Sequence, residues 1–255
     1  MSPVHSAASE GFGRAGDDYE KGRPGYPPAA LARLRDALGL GPGRTVLDLA
    51  AGTGKLTRAL TGSGAEVIAV EPVDGMRAML VAALPRVTAL TGTAEAIPLA
   101  DHAVDAVCVA QAFHWFDAPA AAAEIHRVLA PGGRLAVLWN AWDESIPWVA
   151  AVMAIVHAHA QGAPQQRTSR WPQEVQATGL FGPMTQLTVP NPVSGDRDTL
   201  VARIVSTSYI AALPPEGRDQ VSHDVLAVVD GDPQTAAEPT LVMPYTTHLT
   251  WCERR

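Results

Sequence analysis

Asp48, Gly52, Gly54 and Glu71 are the residues whose types and spacing point to chemistry. Asp48 stands near the end of a short apolar run, Thr45-Val46-Leu47-Asp48-Leu49. The small-residue loop Ala50-Ala51-Gly52-Thr53-Gly54 follows, and then a helix-competent stretch, Lys55-Leu56-Thr57-Arg58-Ala59-Leu60. Strand, glycine loop and helix N-terminus together bring backbone close to a ligand. Roughly 20 residues further on, a second apolar run, Glu66-Val67-Ile68-Ala69-Val70, delivers Glu71. An acid at that offset and strand end is placed to take the two hydroxyls of a ribose. The pattern predicts an adenosine-containing cofactor.

Three cofactors compete for such a loop. A P-loop needs GxxxxGK[ST], and Gly54-Lys55 offers its tail. The match fails twice, because Leu49 occupies the first glycine position and Leu56 follows the lysine. A dinucleotide loop needs GxGxxG, and Thr57 stands where the third glycine belongs. S-adenosylmethionine (SAM) has no pyrophosphate, so its loop need only make room for the methionine part and the ribose. It also carries an ammonium, and Asp48 just ahead of the loop suits that charge. SAM is the reading the loop favours over a ligand-free tight turn.

The elements that must position these residues read as alternating strands and helices. A helix from Pro28 to Leu38 has Leu31, Leu34 and Leu38 on one face and Gly39 as its stop. Asp74 is placed to cap a helix whose Met76, Met79, Leu80 and Leu84 face a core. A third strand, Val87 to Leu90, precedes Gly92-Thr93-Ala94-Glu95-Ala96-Ile97-Pro98-Leu99. The fourth, Val104 to Ala110, is apolar nearly throughout, as a buried parallel strand is. It runs into Gln111-Ala112-Phe113-His114-Trp115-Phe116. Asp117 caps a helix from Pro119 to Leu129, Pro131-Gly132-Gly133 ends it, and Leu135 to Trp139 forms the fifth strand. This rhythm predicts right-handed βαβ units and a parallel sheet. After Asn140 the rhythm breaks. Residues 142–182 and 196–229 read as helical cap insertions, and Met184–Val189 and Tyr245–Trp251 as strands that finish the sheet. One domain is expected, with 1–40 an arm and helix, 41–141 the cofactor-binding core and 142–255 the sheet finish with its cap.

Composition bounds the function. A chain of 255 residues with 47% hydrophobic content can bury a full core. A net charge of -7 with no Lys/Arg run argues against a nucleic-acid partner. Cys108 and Cys252 give neither a disulfide framework nor metal-ligand spacing, so no metal is expected. There is no long apolar stretch to span a membrane and no signal-peptide pattern. Cytoplasm is the default expectation.

The motifs LDLAAGTGKLT, VIAVEP, GTAEAIPL, VDAVCVAQAFHWF and EIHRVLAPGGRLAVLWN stand in that order and spacing. The chain resembles class I SAM-dependent methyltransferases of the trans-aconitate methyltransferase-like, methyltransferase type 11 group. Similar proteins also carry a Tyr-Arg-Pro loop like Tyr19 to Pro27 and an SxSY stretch like Ser206 to Tyr209. The resemblance implies an α/β, Rossmann-like fold with a seven-stranded, mostly parallel sheet ending in an antiparallel pair. It implies that Gly52 lies against the methionine portion of SAM, that Glu71 takes the ribose and that Thr93-Ala94-Glu95 flanks the adenine. Gln111 would turn a carbonyl toward the amine, and Tyr19 and Arg23 would close over the carboxylate. Pro72 and Met76, just past Glu71, and Phe113, just past Gln111, complete the expected cofactor set. Many relatives have glycine where Ala50 stands, and an alanine fits there if its φ is negative. The product would be S-adenosylhomocysteine.

On the acceptor side, His114 follows the fourth strand, at the edge where a parallel sheet presents ligands. It reads either as a base for a hydroxyl or amine acceptor or as a residue packed between Phe113 and Trp115. Trp139, Trp142 and Trp148, with Trp115 and Tyr209, read as an apolar acceptor pocket, the alternative being plain core. The acidic protein and aromatic pocket argue for a neutral or weakly polar metabolite, O-methylated in secondary metabolism, with N- and C-methylation open. A SAM-fold protein that rearranges, cyclises or merely binds a ligand is the rival reading. Oligomeric state is not legible.

Overall fold

The computed structural model describes residues 24–160 and 169–255. Helix α1 (Pro28–Leu38) leads into strand β1 (Thr45–Leu49), and Gly39 ends the helix at φ +62°, its N–H returning to the carbonyls of Arg35 and Asp36. Then follow α2 (Lys55–Thr61), β2 (Glu66–Val70), α3 (Asp74–Ala83), β3 (Thr88–Leu90) and β4 (Val104–Ala110). A single 3-10 turn, Phe113–Trp115, precedes α4 (Ala118–Val128), and β5 (Leu129–Trp142) closes the parallel half. Asp117 caps α4 by accepting from the Ala120 N–H. Asp74 does not cap α3: it is the first helical residue, with Val73 at the cap position.

The main sheet runs β3-β2-β1-β4-β5-β9-β6, where β6 is Thr185–Pro190 and β9 is Tyr245–Glu253. The first five strands are parallel, and β9 runs antiparallel to both β5 and β6. This is the α/β, Rossmann-like sheet the sequence predicts, with its antiparallel finish. The order reverses between β1 and β4, so their carboxyl ends form the crevice where such sheets bind ligands. One expectation shifts: β5 starts at Leu129, with Pro131-Gly132-Gly133 inside it, and its register against β4 slips between Val104 and Ala106. A bulge there accommodates a proline that no regular ladder would.

Both sheet faces are covered. On one side Leu34 and Leu38 of α1 and Leu56 and Leu60 of α2 pack on Val46, Ala106 and Leu138. On the other, Ile125 and Val128 of α4 pack on Leu47, Val107 and Val137. Cys108 and Cys252 are core residues, and burial pushes both thiols up, Cys252 to about 12.

Beyond β5 the chain builds a cap with its own core. It comprises α5 (Pro147–Ala158), α7 (Arg197–Val205), α8 (Ser208–Ala211) and α9 (Pro215–Gly231). Val149, Val152 and Val156 of α5 meet Leu200, Ile204, Val221 and Val225 there. A small ribbon of β7 (Val193–Gly195) and β8 (Leu241–Met243), not anticipated from the sequence, edges this core. Helix α6 (Trp171–Ala177) is not part of the cap: Trp171 and Val175 are buried in the sheet-side core with α4. The expected cap over 142–182 is therefore shorter than the sequence pattern implied, because α6 carries its apolar face to the sheet.

Candidate active site

The loop after β1 is held in a left-handed path. Ala50, Gly52 and Gly54 have φ of +58°, +59° and +90°. At Gly54 a Cβ would stand 2.9 Å from Leu80 Cγ, so close packing of the loop on α3 also demands glycine there. The condition under which an alanine fits there, a negative φ, is not met. A left-handed alanine costs about 1–2 kcal/mol, which is the strain a glycine at this position avoids. Gln111, just past β4, is also left-handed at φ +60°, with its N–H tied to the Leu138 carbonyl at 3.0 Å. Ala50 and Gln111 face one small cavity, and strained backbone of this kind gathers at ligand sites.

That cavity, about 60 Å³, lies at the β1/β4 crevice. Pro24 and Tyr26, Ala50 to Thr53, Ala110 and Gln111, and Asp48 line it. Asp48 is 1% exposed. Its Oδ2 accepts from the Thr57 hydroxyl at 2.6 Å, while Oδ1 is buried with no hydrogen-bond partner among the described residues. Desolvation pushes this carboxyl up to about 7, the Thr57 hydrogen bond opposing and the Glu71 charge adding to the rise. A half-satisfied buried carboxylate beside a cavity is a receptor for a cation.

Glu71 ends β2 next door. Its Oε2 accepts the Gly52 N–H and its Oε1 the Val73 N–H, both at 2.8 Å. Burial raises its pKa, against these two backbone hydrogen bonds and the Arg77 charge. A carboxylate has about four acceptor positions, so two remain for hydroxyls. Met76 stands beside Gly52, its Sδ 3.9 Å from where a Cβ would be, and Pro72 is half-buried between them in sequence. Thr93 bridges to Ala96, Ala94 is buried, and Glu95 accepts the Asp117 N–H at 3.1 Å, tying the loop after β3 to the start of α4.

The residues expected on the acceptor side divide. His114 is half-buried, its ring 4.6 Å from Trp115 and edge-on to Trp139 at 4.9 Å. It does not pack on Phe113, which turns fully into the core against Phe116 and Trp171, so the side chain of Phe113 is withdrawn from the cofactor cavity. Trp142 stacks on Tyr245 with centroids 4.1 Å apart, and Tyr209 packs against the cap core. Trp148 is 4% exposed inside that core. This corrects its assignment to the pocket wall: at the start of α5 its ring fills the cap interior. Tyr19 and Arg23 lie outside the described residues. Among the described residues no group of three His, Cys, Asp or Glu side chains could hold a metal ion, and no helix is long and apolar enough to cross a membrane.

Sequence reasoning missed two groups. Thr57, the residue that breaks the dinucleotide pattern, is the hydroxyl that orients Asp48. Asn140 donates to the carbonyls of Pro24 and Gly25 and accepts from Thr247 and Asn191, and Asn191 also donates to Gly25. This network pins the Pro24–Gly25 segment beside the cavity; an isolated Asn after a strand gives no such signal.

The profile described as "Methyltransferase domain" matches residues 47–137, from β1 to the middle of β5. An uncharacterised methyltransferase of Mycobacterium tuberculosis is 39% identical over 242 residues, covering 92% of each chain. A putative type II methyltransferase of Anaeromyxobacter dehalogenans shares the fold with a TM-score of 0.63 at 24% identity, over 91% of this chain and 97% of that one. A geranyl diphosphate methyltransferase solved in complex with SAM aligns with a TM-score of 0.53 at 18% identity, over 89% and 85% of the two chains. The left-handed loop, the acid at the end of β2 and these likenesses converge: the chain belongs to the class I SAM-dependent methyltransferase family.

Proposed function

We propose that the protein uses SAM to methylate a small-molecule acceptor, most simply at oxygen. The observation that carries the reading is Asp48: a buried carboxylate oxygen without a partner among the described residues, at the cavity of the β1/β4 crevice. The residues present fit SAM. Asp48 Oδ1 would accept from its ammonium, and Glu71 would offer the ribose hydroxyls its two remaining acceptor positions. Gly52, bare of a Cβ, leaves room for the methionine portion. When bound, SAM supplies an electrophilic methyl group for in-line displacement.

The chain's own contribution is positioning and exclusion of water. Thr57 holds Asp48 in one rotamer by its 2.6 Å hydrogen bond. The Asn140 network fixes the Pro24-Gly25 segment at the cavity's edge. His114, held between Trp115 and Trp139 one turn past β4, is the base available to take a proton from a hydroxyl or ammonium acceptor. The cap supplies acceptor specificity. Incubation with methyl-tritiated SAM and a bacterial metabolite extract tests the reading. Label should pass to small-molecule products while S-adenosylhomocysteine accumulates in equal amount. Product formation without label transfer would instead support a rearranging or cyclising enzyme.

A further inference from the structure

We infer that Asn140 and Asn191 are positioning residues that couple occupancy of the cofactor cavity to the cap. The inference rests on the methyl-transfer reading above and adds how its two binding regions communicate. Asn140 in β5, Asn191 just past β6 and Thr247 in β9 are buried side by side. Asn140 Nδ2 donates to the carbonyls of Pro24 at 3.2 Å and Gly25 at 3.1 Å. Asn191 Nδ2 donates to the Gly25 carbonyl at 2.9 Å and to Asn140 Oδ1 at 3.3 Å, and Oδ1 also accepts the Thr247 hydroxyl. Pro24 and Tyr26 line the cofactor cavity. Pro24 and Gly25 lie ahead of α1, and these two amides hold their carbonyls.

The same side chains stand at the root of the cap. Strand β5 leaves for α5 after Trp142, β6 leaves for β7 at Asn191 and Pro192, and β8 returns to β9 through Pro244. Two backbone hydrogen bonds join these passages. The Asp143 N–H donates to the Pro244 carbonyl at 2.9 Å, and the Asn191 N–H to the Tyr245 carbonyl at 2.7 Å. Tyr245 stacks on Trp142, and both pack in the cap core. Both amide protons and the carbonyl oxygen of Asn140 are therefore in use. A shift of the Pro24–Gly25 segment either breaks buried hydrogen bonds or moves the cap root with it. An unmet buried donor costs more than a hydrogen bond gains, so the two move together. A cofactor packed against Pro24 and Tyr26 favours one setting of that root. By linkage, an acceptor held under the cap favours the bound cofactor by the same factor.

Amide hydrogen exchange with and without saturating S-adenosylhomocysteine tests this in the wild type, Asn191→Ala and Asn191→Ser. In the wild type the ligand should slow exchange in α7 and α9 by about fivefold or more, beyond any change in α6, which shares no bond with the network. Asn191→Ala cuts the cap root from Gly25 while Asn140 keeps its own two bonds there. Its affinity for S-adenosylhomocysteine should fall by less than about tenfold, and at saturation the slowing in the cap should be lost. Asn191→Ser, too short to reach Gly25, should behave alike and carries the test if the alanine variant does not fold. A purely structural Asn191 would lower the melting temperature of the variants yet leave the ligand-driven slowing intact, and that result overturns the inference. So does a wild-type cap whose exchange the ligand leaves unchanged. Failure of the wild type to bind S-adenosylhomocysteine at all sinks the methyl-transfer reading, whereas binding without a response in the cap sinks only this one.

Discussion

Replacing Asp48 by asparagine should stabilise the protein without cofactor and weaken its hold on SAM at the same time. In the fold Asp48 keeps its proton up to about pH 7, mainly because burial penalises the charged form, whereas an unfolded aspartate loses it near 3.8. The fold therefore binds this proton more tightly than the unfolded chain. The stability that comes with it is complete below about pH 4 and is lost as pH rises toward 7. Above pH 7 the ionised group costs about 3–5 kcal/mol. Asparagine has the same shape and no charge, and its carbonyl can still accept from Thr57. At pH 8 the variant should melt several degrees higher, at roughly 2–4 °C for each kcal/mol, and the gain should shrink below pH 5. The SAM ammonium loses its carboxylate, so Kd should rise about 10–100-fold. Wild-type affinity should weaken nearly tenfold between pH 7.5 and 6 as Asp48 takes up its proton, while the variant stays flat. Differential scanning calorimetry and SAM titration across that range read both effects. A variant that melts lower at pH 8, or that binds SAM as the wild type does, refutes the reasoning.

Two further outcomes follow from the same geometry. Ala50→Gly relieves a left-handed alanine at φ +58°; set against glycine's extra freedom when unfolded, the gain should be about 0.5–1 kcal/mol, seen as a higher melting temperature, and an unchanged or lower one would deny the strain. His114→Ala should lower turnover about 10²-fold or more with SAM affinity intact if His114 is the base; a fully active, fully stable variant removes it from the site.

The cofactor half of the fold was legible because it is written locally. Parallel strands buried on both faces read as apolar runs, as Val104–Ala110 does, and glycines announce the loop between them. Glu71 was legible as an acid at a strand end. The φ of Ala50 was not, since alanine itself does not favour the left-handed region the loop adopts there. Helix α6 looked like part of the cap because only tertiary contact shows Trp171 and Val175 turning to the sheet. Trp148 and Phe113 carry the aromatic character of a binding wall but spend it in cores, and residue type alone cannot separate these uses. Thr57 was invisible for the opposite reason: it is an ordinary helical residue whose meaning lies in its hydrogen bond to Asp48 on the preceding strand.

Titration of S-adenosylhomocysteine into the wild type and Glu71→Ala by calorimetry tests the central claim, that the loop after β1 and the acid after β2 form the cofactor site. One binding event per chain is expected for the wild type. Removal of the Glu71 carboxylate takes away a ribose partner and the tether on the Gly52 N–H, so binding should weaken by about 1.5–3 kcal/mol, or roughly 10–150-fold in Kd. No heat with the wild type, or equal affinity in the folded variant, would contradict the account.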